Sequence, residues 1–317
     1  MGIAMKAKLS INIGKLKLKN PVMAASGTFG YAEEFSGFMD LKKLGAVVSK
    51  TITLRPRQGN PPPRTCETPA GMLNSIGLEN PGLDAFINCK LPVLVKTGVP
   101  VIVSIASESG WPEFVELAGC LDKLKEVAAI EINISCPNIR STKHKAQSVK
   151  LISQDPKATY EVVKAVRRAT AKTLITKLSP NVTDITEMAM AAERAGSDAV
   201  SLINTVTGMS VDVATRQPKI ACVTGGLSGP AIRPIAVRMV WEVYRKIKIP
   251  IIGMGGIMDT ASALEFFMAG ASAISIGTAN FINPRAAAEI ITGLERFLIK
   301  NKIKDIRQLI GSVKSEN

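Results

Sequence analysis

Eight short runs of apolar, largely β-branched residues recur along this 317-residue chain, and they constrain its fold more than any other feature. They are Val22–Thr28, Ala46–Ile52, Val101–Ser107, Ala129–Ser135, Leu174–Pro180, Ala199–Thr205, Pro250–Gly256 and Ala273–Ala279. Each is short enough for a buried strand, and helical patterns lie between them. The clearest helix is Thr183–Ala195. Its Ile185, Met188, Ala189 and Ala192 share a face, Asp184 with Glu187 gives a capping signal, and Gly196 ends it. An internal echo supports a repeated unit. "AGSDAVSLIN" (Ala195–Asn204) and "AGASAISIGT" (Ala269–Thr278) share the order helix end, glycine, turn, buried strand, polar exit, and "LGAVVSKT" is a weaker third copy. Few aromatics among many Val, Ile, Ala and Gly also favour an α/β protein with a mainly parallel sheet. Eight β-then-α units predict a (β/α)8 TIM barrel, with a doubly wound sheet as the alternative. The amphipathic opening "LSINIGKLKL" reads as a hairpin around Gly14, outside the barrel count, plugging its N-terminal face. Residues 1–317 read as one domain.

Three long segments follow strands and would gather at the C-terminal face, where such barrels place their active sites. They are Thr53–Asn80, Pro137–Pro156 and Val206–Ser228, all read as loops. The net charge is +14, but the lysines are spread rather than blocked with aromatics, so the charge reads as a solvated basic surface and not a nucleic-acid site. Five cysteines, Cys66, Cys89, Cys120, Cys136 and Cys222, form no CxxC. A disulfide framework and a metal or iron–sulfur site on this chain are therefore not expected. The N-terminus shows no signal-peptide or myristoylation pattern, and no apolar run approaches membrane-spanning length. These features predict a cytoplasmic protein.

The polar residues closing each strand converge on one mouth in a barrel. They are Ala25, Ser26 and Gly27; Lys50 and Thr51; Asn133, Ser135, Cys136 and Asn138; Lys177; Asn204 and Thr205; Gly253, Gly255 and Gly256; and Gly277 and Thr278. Lys50 and Lys177 stand in otherwise apolar strands, where an ammonium is costly without an acceptor. The neighbouring runs are nearly free of carboxylates, so these lysines read as facing an electron-rich cofactor or substrate rather than an ion pair. Glycines after the last two strands suit a phosphate held by backbone N–H groups. "GMGGIMD" has Met258 where a dinucleotide fingerprint needs its third glycine. "GGLSGP" offers Gly229 and Pro230 at a further helix start. Cys136 sits at a strand exit beside Pro137, between Asn133 and Asn138, with no carboxylate in the turn that follows it. There the thiol itself can act as base or nucleophile. The only histidine, His144, reads as a solvated loop residue.

Together "ASGTFGY", "SKTITLRPRQGNPPPR", "GMLNSIGLENPG", "NISCPN", "KLSPNVTDI", "SLINT", "GGLSGPAIRP", "IIGMGGI" and "SIGTANF" resemble family 1 dihydroorotate dehydrogenase, over about Leu9 to Leu298. "GNPPPR" and "GTANF" are most similar to the B-type, NAD-dependent catalytic subunit. The resemblance implies a barrel holding FMN that oxidises dihydroorotate to orotate in pyrimidine biosynthesis. It makes Cys136 the base for the C5 proton, with hydride leaving C6 for flavin N5. It assigns Lys50, Asn74, Ser75, Ile76, Gly77, Leu78, Asn133, Asn138, Asn204 and Thr205 to the substrate. It assigns Ala25, Ser26, Lys50, Thr51, Asn133, Lys177 and Ile203 to the isoalloxazine side of the cofactor site. Gly229, Gly255, Gly256, Gly277 and Thr278 go to the ribityl phosphate end.

Asparagine offers both donor and acceptor, which suits a ring of alternating C=O and N–H. A lysine near the flavin would stabilise its anionic reduced form. The resemblance also implies a homodimer joined to an iron–sulfur flavoprotein carrying FAD and a [2Fe–2S] cluster, a heterotetramer that passes electrons to NAD. A fumarate-dependent A-type enzyme needs no such partner.

After "SCPN" relatives carry a glycine-rich segment. Here "IRSTKHKAQSVKLISQDP" is longer, basic and free of glycine. A tRNA dihydrouridine synthase, another FMN barrel, would add a C-terminal helical domain that this sequence does not show. A basic scaffold protein would leave Lys177 and Cys136 unexplained and would purify without yellow flavin.

Overall fold

The computed structural model describes residues 7–108, 110–135 and 152–314. The predicted hairpin is present as β1 (Ile11–Ile13) and β2 (Leu16–Leu18), paired antiparallel across Gly14. Its tip lies against the N-terminal end of one barrel strand: Lys15 N–H donates to Thr173 Oγ1, and Lys15 Nζ donates to the Ala171 carbonyl. Next come β3 (Val22–Ala24), β4 (Ala46–Val48), β5 (Thr65–Thr68) and β6 (Gly71–Asn74). Then follow β7 (Val101–Ile105), β8 (Val127–Asn133), β9 (Thr173–Lys177) and β10 (Ala199–Leu202). The chain continues through β11 (Val206–Met209), β12 (Val211–Asp212), β13 (Gln217–Pro218) and β14 (Thr224–Ser228). The last strands are β15 (Ile251–Gly253) and β16 (Ala273–Ile276).

A closed parallel barrel runs in the order β3-β4-β7-β8-β9-β10-β15-β16, with β16 returning to β3. Every one of the eight apolar runs supplies one strand. The barrel strands are buried almost without interruption, because helices cover their outer faces and side chains fill the interior. The fold is the (β/α)8 barrel expected from sequence, not a doubly wound sheet.

The helices begin where the sequence signals them. The helix Ile185–Arg194 is capped by Asp184, whose carboxylate accepts from Thr186 N–H, and it buries Ile185, Met188, Ala189 and Ala192. Gly196, just beyond it, takes a φ of 100°. The helix Pro156–Ala169 starts with Asp155 accepting from the N–H groups of Lys157 and Ala158 and with proline in its first turn. Among the described residues no helix is long and apolar enough to cross a membrane.

Two of the segments read as loops contain strands. β5 and β6 pair as a hairpin, and β11 and β14 join them in a four-stranded antiparallel sheet of order β11-β14-β6-β5. The pairing that unites them, Gly226 with Asn74, spans 152 residues of sequence. These strands are short and half-exposed, and they carry Gly71, Gly208, Gly225 and Gly226. Neither propensity nor apolar periodicity marks such strands; the long-range pairing makes them. The sheet stands on the C-terminal side of the barrel and forms one wall of its mouth.

Candidate active site

One cavity occupies the barrel mouth, and the C-terminal ends of its strands line it. Ala25 and Ser26 come from beyond β3, Lys50 and Thr51 from beyond β4, Asn133 from β8 and Lys177 from β9. Ile203, Asn204 and Thr205 follow β10. Gly255 and Gly256 follow β15, and Gly277 and Thr278 follow β16. The antiparallel sheet and the residues after it contribute Asn74, Ile76, Gly77, Leu78, Ser228 and Gly229. Residues scattered over more than 250 positions of sequence thus meet in one pocket.

Ser75 is the exception among the described candidates. It is fully buried outside the lining, its N–H donating to the Arg64 carbonyl at 2.7 Å. In the strand-like segment around it, neighbouring residues face opposite sides, so Asn74 and Ile76 take the cavity and Ser75 turns away. The candidates Cys136 and Asn138, and the basic segment that follows them, lie outside the described residues, as does His144.

The asparagines are held in fixed orientations. Asn204 Nδ2 donates to Ser135 Oγ at 2.9 Å, and its Oδ1 accepts from Thr205 N–H at 2.8 Å. Ser135 Oγ donates to Asn133 Oδ1 at 2.9 Å, which turns Asn133 Nδ2 toward Thr51 Oγ1 at 3.3 Å. Asn74 Nδ2 donates to the Gly226 carbonyl. Amides tied down in this way lose little further freedom when a ligand binds. Ser135 immediately precedes Cys136, so the chain enters that position from an anchored residue.

Lys177 closes β9 with only 5% of its surface exposed. Asn133 and Ser201 flank it in register on the adjacent strands. None of the ion pairs among the described residues includes Lys177, and its side chain lines the cavity. Lys50 is two residues past the end of β4 and half-buried, not inside a strand as its run suggested. The strand register ends early there, and the lysine belongs to the mouth.

At the opposite side of the cavity a run of glycines leaves backbone donors that could receive an anion. Gly256 takes a φ of 73°, and a Cβ there would sit 2.7 Å from the Gly229 carbonyl oxygen, so only glycine fits. The N–H groups of Gly255, Gly256, Gly277 and Thr278 donate to no acceptor among the described residues. The turn is fixed from behind by Asp259, which caps helix Thr260–Ala269. Ser262, through its backbone N–H and then its hydroxyl, holds the Asp259 carboxyl below the usual carboxylate range. Thr278 Oγ1 donates to Ser228 Oγ at 2.8 Å and ties the two glycine-containing segments together.

Two observations show that these residues fit a flavin phosphate ester. The Ser275 hydroxyl is buried in the cavity lining without a partner. A Cβ at Gly277 would meet only Ala25 Cβ and Thr28 Cγ2, each at 3.9 Å, so the space before it is open for a ligand. Apolar surface from Ala25, Ile203, Met72 and Met254 offers a ledge for a flat ring, and the unpartnered N–H groups suit a phosphate. Met72, Met254, Ser228 and Ser275 were not singled out from the sequence. Ser275 stands two residues before Gly277 in "SIGT", and that period of two is the signal that would have found it.

Residues 8–298 match the family model for dihydroorotate dehydrogenase. The chain is 55% identical over 309 residues to a protein of Trichlorobacter lovleyi, covering 98% of this chain and 99% of that one. It is 54% identical to one of Geotalea daltonii with the same coverage, and 52% identical over 305 residues to one of Caldicellulosiruptor bescii, covering 96% and 99%. All three relatives are named dihydroorotate dehydrogenase B (NAD(+)), catalytic subunit. With a barrel, a flavin-compatible mouth and a match over almost its whole length, the chain belongs to the dihydroorotate dehydrogenase family.

Proposed function

We propose that the chain is the catalytic subunit of an NAD-dependent dihydroorotate dehydrogenase, with FMN as its flavin. The observation that carries this reading is the convergence of Asn74, Asn133 and Asn204 with Lys50 and Lys177 in one cavity whose far side has unpartnered backbone donors. Dihydroorotate presents ring carbonyls, ring N–H groups and a carboxylate. The asparagines match the ring edge, each with a donor and an acceptor, and Asn138 joins them. Lys50 and the backbone of residues 74–78 match the carboxylate.

Cys136 takes the proton from C5. Its neighbour Ser135 is held by Asn133 and Asn204, so the chain leaves the strand from a fixed end. Bound FMN supplies the acceptor for hydride from C6. Lys177 places a positive charge at the cavity floor, which favours negative charge on whatever ring lies over it. Gly229, Gly255, Gly256, Gly277 and Thr278 hold the phosphate, and Ala25, Ser26, Thr51 and Ile203 hold the ring.

The proposal includes a partner, an iron–sulfur flavoprotein with FAD and a [2Fe–2S] cluster, and a dimer of this chain at the centre of a heterotetramer. The names of the relatives, which specify a catalytic subunit and NAD(+), support it. The acceptor is tested on FMN-loaded chain reduced anaerobically by dihydroorotate. Fumarate leaves the flavin reduced, and NAD reoxidises it only after the iron–sulfur flavoprotein subunit is added. Return of the yellow colour with fumarate alone contradicts the NAD assignment.

A further inference from the structure

Among the described residues, a buried titratable group inside the barrel is left unused by the mechanism. Glu131, in the middle of β8, is 2% exposed inside the barrel, below Asn133 on the same strand. Both its oxygens are engaged: Ser104 Oγ donates to Oε1 at 3.1 Å, and Ser201 Oγ donates to Oε2 at 2.9 Å. From Ser104 a chain of hydroxyls rises to the cavity. Ser104 Oγ lies 2.9 Å from Thr51 Oγ1, and Thr51 Oγ1 lies 2.9 Å from Ser26 Oγ.

Oxygen positions alone leave the direction of the last two hydrogen bonds open, and Glu131 fixes it. A carboxylate only accepts, and a hydroxyl has one proton to give. Ser104 gives its proton to Glu131, so it must accept from Thr51. Thr51 has then given its proton and must accept from Ser26. Its second lone pair takes Asn133 Nδ2, at 3.3 Å, so every site on Thr51 is used. Ser26 is left with no proton for the cavity, only lone pairs.

We propose that Glu131 is a positioning residue that sets the polarity of this chain, so that Ser26 meets the flavin as a hydrogen-bond acceptor for a ring N–H. The inference rests on the flavin reading above. It explains why a carboxylate stands in the buried strand β8, where burial is costly unless both oxygens are met. It also sets a selectivity rule: a ring presenting a carbonyl at Ser26 would meet lone pairs against lone pairs.

The test is FMN affinity, read by fluorescence quenching on the flavin-free full chain, alongside thermal unfolding of the same samples. Ser26→Ala, Ser104→Ala and Glu131→Met each weaken FMN binding roughly tenfold, the scale of one well-made hydrogen bond. Adding Ser26→Ala to either of the others brings no further loss, because the Ser26 contribution has already gone. Glu131→Gln, which keeps an acceptor for Ser104 and can turn its amide N–H toward Ser201, retains most of the affinity. Ser104 does not line the cavity, so a merely structural role would lower the unfolding temperature without this coupling. If Glu131→Met does not fold, the Ser104 and Ser26 pair carries the test alone. Losses that add, or full affinity in Ser104→Ala, overturn the inference while flavin uptake by the wild type keeps the functional reading intact. A wild-type chain that takes up no FMN overturns both.

Discussion

Cys136→Ala slows reduction of the bound flavin by dihydroorotate by about 10²–10⁴-fold, the usual contribution of a positioned general base. No other described side chain in the lining can replace it. The cavity offers asparagines, hydroxyls and lysines, while the buried carboxylate of Glu131 lies below the lining and is occupied by two serines. With the thiolate as the proposed base, the relevant scale is that of an ordinary thiol, which ionises near pH 8.5, roughly. The wild-type rate therefore rises with pH toward that value, while the residual rate of the alanine variant lacks the rise. FMN uptake is unchanged in the variant, since Cys136 is not among the residues assigned to the cofactor. Stopped-flow absorbance between about pH 6 and 9, the span around the thiol value, measures both effects. An alanine variant as fast as the wild type would remove Cys136 from the chemistry.

Lys177→Met separates function from stability. The ammonium is nearly inaccessible, and no ion pair among the described residues includes it. A charge so placed costs folding free energy, which an apolar side chain of similar length does not. The flavin-free variant therefore unfolds at the same temperature as the wild type or higher. Its flavin, in contrast, has a lower reduction potential, and the reductive step is about 10²-fold slower, the scale seen when one preorganised electrostatic contact is removed. Thermal unfolding and an anaerobic redox titration give the two numbers. A strongly destabilised variant with an unchanged potential would make Lys177 a structural residue.

The barrel was legible because parallel strands covered by helices are contiguous apolar runs, and each of the eight runs became one strand. The glycine turn after β15 was legible because a tight turn of positive φ cannot carry a Cβ, and at Gly256 that atom would sit 2.7 Å from the Gly229 carbonyl oxygen. The four-stranded sheet at the mouth was not legible. Its strands hold together through pairings such as Gly226 with Asn74, and a local reading contains no information about a partner 152 residues away. Ser75 was assigned with its neighbours, but alternation turns its side chain from the cavity. Glu131 was missed although its signal matched that of Lys177, a charge inside an apolar strand. The residues that satisfy it, Ser104 and Ser201, sit on two other strands and become visible only in the closed barrel.

In the proposed reading this cavity holds a flavin which dihydroorotate reduces. An anaerobic absorbance trace tests it most directly: load the purified chain with FMN, add dihydroorotate at alkaline pH, and follow the flavin band. The expected result is rapid bleaching of a tightly bound flavin by dihydroorotate alone. A band that stays yellow, with FMN demonstrably bound, would contradict it.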